Sequence, residues 1–363
     1  MAAMFRDGVS SMTLLQQRTY RFLQWLRCRL RGLTKSLSIL LSVLWLHNTL
    51  SIRSNIPQLK NDRCIMKHSI LGDNPAQSDW VKPNKGNIIP RKIWQIILSR
   101  DGTKNTPVSS TKLKGTAMWL ALNVDYTYML LGDTGSEYFI ERCFTYDPIV
   151  QSTYNSLPNV AMKSDFLRYL LLSVEGGIYA DTDTVALKSI DQWVPYRFRG
   201  LARLVVGIEF DQGEGTIWSD MLHPLQFCQW TIAAAPGHPV FQKMTARIAR
   251  STAEIAEENK VKGIKSTWKP TSLEVMNSTG PAAWTDVVWE YLQEVDKDLT
   301  DIRNLSHLET PRLYGDVLIL PIDGFGMGQL HSGSTNDGSI PDSALVKHLF
   351  EGSWREDTAR FKI

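Results

Sequence analysis

Hydrophobic and polar residues alternate with two different periods along the chain from residue 88 onward. Short apolar runs predict strands at Lys92–Leu98, Tyr126–Leu131, Ile178–Ala180, Leu204–Phe210, Gln229–Ala233 and Asp316–Leu320. Apolar residues that return every three or four positions predict helices at Thr134–Thr145, Lys163–Val174, Pro239–Asn259 and Ala283–Val295. Strands that alternate with helices are typical of an α/β fold, so we expect a mostly parallel sheet covered on both faces.

An apolar segment with a basic leader precedes this region. Residues 1–35 hold seven basic residues and one acid, whereas residues 36–52 are largely apolar and carry no formal charge. A stretch of this length is at the short end of what spans a bilayer, and the positive charge before it predicts a cytoplasmic N-terminus. We therefore expect a basic cytoplasmic tail at 1–35, a transmembrane signal-anchor helix at 36–52 and a luminal stem at 53–87.

Three other interpretations of the leader compete with the anchor. They are a cleaved signal peptide, a mitochondrial presequence and an amphipathic helix that lies on the membrane surface. No convincing small-x-small cleavage site follows residue 46, and a short span with polar flanks suits the thinner membranes of the early secretory pathway. We therefore favour an uncleaved anchor, which gives a single-pass type II topology.

The net charge of +3 is distributed unevenly. The leader alone contributes +6, which leaves −3 for the remaining chain. Proteins that bind nucleic acid carry a basic face, and a slightly acidic body without a cluster of Lys and Arg lacks one. The charge pattern therefore argues against a nucleic-acid partner.

Cysteines and glycosylation patterns bear on the compartment. Cys64, Cys143 and Cys228 follow the apolar segment, and an odd number permits one disulfide at most, with the pairing left open. Asn277-Ser-Thr and Asn304-Leu-Ser are acceptor patterns for N-glycans, which have meaning only in a luminal body.

Candidate chemistry concentrates in residues 164–184, which read SDFLRYLLLSVEGGIYADTDT. Asp165 and Arg168 are three positions apart on the predicted helix and so share a face. Gly176-Gly177 ends that helix, because glycine readily adopts the left-handed conformation of a turn. Asp181 and Asp183 follow the next short strand, and their spacing places both carboxylates on one side of an extended chain.

Two carboxylates at the carboxyl end of a strand lie where α/β sheets bind ligands. No adjacent basic residue neutralises them, so a divalent cation that bridges them to a diphosphate would relieve their repulsion. Taken alone, Asp-x-Asp is more often a solvated turn, and an Asp–Arg pair three apart is more often a silent surface pair. The combination within twenty residues favours a metal-dependent site for a sugar diphosphate.

These residues resemble the hallmark of glycosyltransferase family 32: Ser-Asp-x-x-Arg-Tyr, a Gly-Gly-x-Tyr turn and an Asp-x-Asp motif. Six further segments are similar, in order, to its fungal initiation-specific α-1,6-mannosyltransferase group: Ile89–Gln95, Gln226–Ile232, Pro236–Pro239, Thr279–Asp286, Val317–Asp323 and Val346–Trp354. The resemblance covers roughly residues 88–357. It implies a GT-A (Rossmann-like) catalytic domain at 88–363, a GDP-mannose donor, Mn²⁺ or Mg²⁺, and a retaining transfer to an N-glycan in the cis-Golgi membrane, with the ER as an alternative.

The resemblance also implies roles for individual residues. Asp165, Arg168 and Asp183 would be catalytic, and Asp181, Asp183 and His348 would hold the metal. The implied donor-binding residues are Tyr179, Asp181, Gln95, Ser353, Trp354, Thr279 and Gly280. Simpler roles stay open, because a lone histidine is more often structural and Trp354 could belong to the core. Asp286 could either face the cleft or supply negative charge near the start of its helix.

Two alternative functions remain from the sequence. One is a related transferase that uses another donor, such as UDP-galactose, or a sphingolipid acceptor. The other is a non-catalytic subunit of a Golgi mannosyltransferase complex, against which the intact acidic and basic residues argue. No residue declares itself as a nucleophile for double displacement, so we expect the acceptor to attack on the face from which the leaving group departs.

Overall fold

The computed structural model describes residues 88–99, 108, 113–215, 221–261, 269–330 and 332–350. All of them belong to the second of two units into which the chain divides, residues 62–363. The predicted tail, anchor and stem lie outside the described residues, as do Cys64, Ser353 and Trp354. Within the described ranges, no helix has both the length and the apolar character that a bilayer crossing requires.

In the part of the chain that the structure describes, nine strands build two sheets. In chain order they are β1 Lys92–Ile96, β2 Thr127–Leu131, β3 Gly177–Ala180, β4 Thr184–Ala186, β5 Leu204–Asp211, β6 Leu225–Ala234, β7 Arg312–Tyr314, β8 Val317–Leu320 and β9 Val346–His348. Seven form the central sheet in the order β2-β1-β3-β6-β5-β8-β7, while β4 and β9 pair separately. In the central sheet β6 and β7 run against the other five strands.

Eight helices accompany the strands in the described part of the chain. They are α1 Thr116–Leu122, α2 Asp133–Cys143, α3 Pro148–Ser156, α4 Val160–Glu175, α5 Pro239–Val261, α6 Ser272–Ser278, α7 Pro281–Val295 and α8 Ile322–Gly326. Local sequence fixes several starts: the Asn159 side chain accepts from the backbone of Met162 and begins α4. A capping box between Thr271 and Glu274 begins α6.

Each face of the central sheet carries its own apolar core, because side chains alternate along a strand. Trp94 and Tyr179 face one layer, which includes Leu167, Phe241 and Trp284 from helices α4, α5 and α7. Neighbouring positions, such as Ile93 and Ile178, face a second layer with Trp119, Trp193 and Phe325. Burial on both faces explains why the strands read as nearly continuous apolar runs.

The structure confirms the six predicted strands and four predicted helices, with shifted ends, in a mostly parallel sheet covered on both faces. The prediction missed β4, β7 and β9, which have three residues each, and the helices α1, α3, α6 and α8. Cys143 is disulfide-bonded and Cys228 is a buried free thiol, while Asn277 and Asn304 are exposed.

Candidate active site

A tight turn between α4 and β3 brings the candidate residues together. Gly176 and Gly177 have φ angles of 60° and 103°, values that favour glycine. A Cβ on Gly177 would lie 2.7 Å from the carbonyl oxygen of Lys92 on β1. The chain therefore reverses against β1, and the residues that follow β3 lie beside the inward face of α4.

Arg168 is the centre of the resulting cluster. One guanidinium nitrogen lies 2.8 Å from Asp165 Oδ1, and the other lies 3.4 Å from Asp181 Oδ1. The guanidinium carbon stands 4.5 Å from the ring centroid of Tyr179, whose hydroxyl donates to Asp181 at 2.5 Å. Asp165 and Arg168 are each only 4% exposed. Helix and strand thus meet in one buried charged cluster, as the spacing predicted.

A bulge in β6 completes this arrangement. Val206 pairs with Ile232 and Ile208 with Phe227, so that a single residue of β5, Gly207, faces residues 228–231 of β6. Bulges re-aim polar groups near functional sites. Here three successive carbonyls accept hydrogen bonds: that of Cys228 from the Trp284 indole, that of Gln229 from Arg168, and that of Trp230 from the Asp181 backbone.

Burial and charge oppose each other in the Asp165–Arg168 pair. Burial raises the pKa of Asp165 to about 7, and the positive charge of Arg168 and the hydroxyl of Thr279 offset only part of that rise. Burial also disfavours the charged form of Arg168, but Asp181, Tyr179 and Asp165 together raise its pKa above the ordinary value. The guanidinium therefore stays charged.

Asp181, Asp183 and His348 bring one ligand atom each to within 4.8 Å of one another. His348 reaches this place because β9 pairs antiparallel with β4, with His348 opposite Thr184. Its Nδ1 accepts from the backbone of Phe350 at 2.8 Å, and its Nε2 lies 3.4 Å from Asp183 Oδ1. Two carboxylates and an imidazole are a ligand set that can hold a divalent cation.

Several of the predicted donor-binding residues have buried side chains that contact the acidic residues of the cluster. Gln95 has no exposed surface: its amide donates to the carbonyl of Asp181 at 3.0 Å and accepts from Thr116 and Tyr128. Thr279 is equally buried and donates to Asp165 Oδ2 at 2.9 Å. Both therefore hold the acidic residues in place, and their contact with a donor stays a prediction.

The remaining predicted residues differ in burial and in the groups that they contact. Tyr179 is 1% exposed and lies under Arg168, and Gly280 is a buried residue at the start of α7. Asp286 bonds Arg247 at 2.5 Å and His223 at 3.1 Å, which ties α7 to α5 and to the segment before β6. Donor contact by Ser353 and Trp354 stays a prediction.

Two contributors were missed by the sequence prediction. Tyr169 donates from its hydroxyl to the Gln229 side chain and to the Thr279 carbonyl. Trp230 packs against the His348 ring, with centroids 4.7 Å apart. Tyr169 belongs to the Ser-Asp-x-x-Arg-Tyr motif, so the motif itself contained that signal, whereas the position of Trp230 depends on the bulge.

Comparison with known proteins agrees with this geometry. Residues 109–198 match a family described as a glycosyltransferase sugar-binding region containing a DXD motif. An initiation-specific α-1,6-mannosyltransferase of Schizosaccharomyces pombe is 38% identical over 276 residues, which are 74% of this chain and 64% of that protein. The Candida albicans enzyme of the same name is 33% identical over 286 residues, 74% of this chain and 72% of that protein.

Among solved structures, the PaToxG glycosyltransferase is similar at 18% identity and a TM-score of 0.38, over 58% of this chain and 73% of that one. The matched region and the site define the class, a glycosyltransferase with an Asp-x-Asp motif. Within that class the chain belongs to the family of the initiation-specific α-1,6-mannosyltransferases, which are hexosyltransferases. It spans about two thirds of the length of its S. pombe relative.

Proposed function

We propose that the protein transfers mannose from GDP-mannose to a high-mannose N-glycan, with retention of configuration and formation of an α-1,6 linkage. The proposal includes Mn²⁺ as the cation, and a location in the cis-Golgi membrane with the catalytic domain in the lumen. Membership in a larger mannosyltransferase complex is compatible with it. The family relationship supports the reaction, while donor, acceptor and compartment come from the resemblance of the sequence motifs.

The observation that carries the proposal is the meeting of two groups of side chains at the carboxyl end of β3. Asp181, Asp183 and His348 would hold the cation, and Asp165 with Arg168 lies directly beside them. A bound cation would supply Lewis-acid stabilisation of the leaving diphosphate. Sugar and diphosphate of one donor molecule would thus meet adjacent parts of one cluster.

Arg168 supplies a fixed positive charge where the bond between sugar and diphosphate breaks. Because its charge is held by Asp165, Asp181 and the ring of Tyr179, it needs no reorganisation as negative charge develops on the leaving group. Asp165 in turn offers acceptor oxygens to sugar hydroxyls.

Attack on the same face as the departing diphosphate is favoured over double displacement. A nucleophilic carboxylate must be ionised and free to reach the anomeric carbon. Asp165 has Oδ1 engaged by Arg168 and Oδ2 by Thr279, and burial raises its pKa to about 7. Trapping a covalent mannosyl–Asp165 species would contradict this interpretation.

The test is an incubation of the purified protein with GDP-mannose, Mn²⁺ and a high-mannose glycan, followed by linkage analysis of the product. Parallel reactions with UDP-galactose and with a sphingolipid acceptor separate the alternative transferases. We expect an α-1,6-mannosyl product, lost in excess EDTA and restored by Mn²⁺. Full turnover in EDTA, or transfer only from another donor, would contradict the proposal.

A variant pair tests the cation site. Asp183→Asn should lower kcat by about 10²-fold or more, because it removes a charge that holds the cation against the leaving group, and should weaken Mn²⁺ binding in a titration. The control is Asp125→Asn, which changes a 75% exposed carboxylate paired with Arg91. Unchanged Mn²⁺ affinity in Asp183→Asn would rule out this ligand assignment.

Protease protection of intact Golgi vesicles would test the luminal orientation.

A further inference from the structure

Gln229 occupies a distinctive place on β6. Nine of the ten residues of this strand are buried, and Gln229 is the one that reaches solvent. It stands at the bulge, directly beside the nearly buried pair Asp165 and Arg168. Solvent, or a ligand, that approaches this pair from the exposed side of the bulge therefore meets the Gln229 side chain.

The hydrogen bonds of Gln229 fix its amide in one orientation. Its Oε1 accepts from the hydroxyl of Tyr169 at 2.6 Å, and its amide nitrogen hydrogen-bonds Asp165, which lowers the pKa of that carboxyl against the larger effect of burial. Its backbone carbonyl accepts from Arg168 at 3.1 Å. Because Oε1 is occupied and a primary amide carries two N–H groups, one N–H is left to donate to a bound molecule.

We propose that the Gln229 side chain is a specificity-determining residue that donates a hydrogen bond to a hydroxyl oxygen of the transferred sugar. The inference rests on the proposed function, because it assumes that the sugar lies against Asp165 and Arg168. Asp165 would accept a hydrogen bond from one sugar hydroxyl, and Gln229 would donate a hydrogen bond to another. The two side chains together would therefore bind a sugar with both hydroxyls in the matching positions. A site built to bond a hydroxyl rejects the analogue that lacks it.

The first test compares donor binding. The dissociation constants of GDP-mannose and of GDP are measured by titration for the wild type, Gln229→Ala and Gln229→Glu, in the presence of Mn²⁺. We expect Gln229→Ala to weaken GDP-mannose by about tenfold and to leave GDP unchanged. Gln229→Glu should weaken GDP-mannose binding more than Gln229→Ala does, because it replaces the N–H group by a carboxylate oxygen beside Asp165. Equal weakening of GDP and GDP-mannose would overturn the inference.

The second test identifies the hydroxyl. We compare kcat/KM of wild type and Gln229→Ala with GDP-mannose and with its 2-, 3-, 4- and 6-deoxy analogues. For one analogue, wild type and Gln229→Ala should have the same kcat/KM, because that analogue lacks the hydroxyl to which Gln229 would donate. The comparison is a double-mutant cycle between enzyme and substrate. The same loss with every analogue would show that Gln229 only supports its neighbours, and the inference would be wrong.

Gln226→Ala is the matched control, because Gln226 is on the same strand but has no exposed surface and bonds Glu209. It should lower the melting temperature without changing the ratio of the GDP-mannose and GDP affinities. If Gln229→Ala does not fold, Gln229→Asn provides the same comparison. A wild type that binds GDP-mannose but transfers no mannose would contradict the proposed function and leave the binding test of Gln229 decisive.

Discussion

Arg168 contacts four groups at once, and its guanidinium is the cationic side chain whose shape allows all four contacts. Its planar guanidinium contacts two carboxylates on separate elements, donates to the carbonyl of Gln229, and stacks on Tyr179. Arginine differs from lysine in this ability, because its donors are held in a fixed fork. The position therefore requires a particular shape as well as a positive charge.

Replacing Arg168 by lysine tests that requirement. Lysine keeps the charge, so the buried acids retain a counter-ion, but its single ammonium lacks the two terminal nitrogens with which Arg168 contacts Asp165 and Asp181 separately. We expect kcat to fall by about 10²-fold, with a smaller change in the melting temperature. Steady-state kinetics and thermal melting of both proteins provide the measurement. Activity within twofold of the wild type would show that charge alone suffices.

At the scale of elements, two features bring the site residues together: the turn between α4 and β3, and the bulge in β6. The turn depends on residues whose backbone has positive φ, and the space beside Gly177 is filled by the carbonyl of Lys92. Any side chain there must push β1 and β3 apart. Stability and site geometry are thus linked at one residue.

A pair of glycine substitutions separates this effect from a general effect of alanine. Gly177→Ala should lower the free energy of unfolding by more than about 1 kcal/mol, because the native φ is unfavourable for alanine. Gly200→Ala, where a Cβ meets nothing within 4 Å, should be neutral or slightly stabilising. Urea unfolding of the three proteins gives the comparison. A Gly177→Ala variant as stable as Gly200→Ala would contradict the argument.

Some of the elements that build the site could be predicted from the sequence, and others could not. Long apolar runs and the Gly-Gly turn predicted the central strands, α4 and the meeting of Asp165 with Asp181. The pairing of Thr184 with His348 could not be predicted, because three-residue strands have no periodicity and the partners are far apart in the chain. The bulge was equally hidden, since Gln229–Ala233 reads as an uninterrupted strand while its geometry depends on neighbours. That is why the contribution of Trp230 was missed.

For the whole molecule, one acidic residue links the far edge of the sheet to the helical layer. Asp316, at the turn between β7 and β8, bonds buried His238 at 3.4 Å and the hydroxyl of Tyr291 on α7 at 3.0 Å. Partial burial would raise its pKa, but the hydrogen bonds from His238 and Tyr291 and the charges of His238 and Arg203 outweigh burial and lower it. Its ionised form therefore contributes to the stability of the fold.

The pH dependence of that contribution has a definite sign. Since the native pKa lies below the unfolded value, the unfolded chain takes up the proton first as the pH falls. The stabilisation is complete above the unfolded pKa and is lost as the pH falls through the native one. Asp316→Asn should cost about 1 kcal/mol at pH 7, and this difference should shrink in acid. Urea unfolding at several pH values measures it; a constant difference would contradict the linkage.

The antiparallel pairing of β4 with β9 decides more than the position of one histidine. Only three residue pairs define it, and the neighbour of His348 in that strand is Lys347. A slip of one position would set an ammonium group where the imidazole now stands. Asp183 would then face a permanent ammonium charge, in addition to the Arg168 charge that already pairs with Asp181, and the proposed divalent cation would be repelled. The register of this two-stranded sheet thus decides whether the proposed cation meets an imidazole ligand or an ammonium charge.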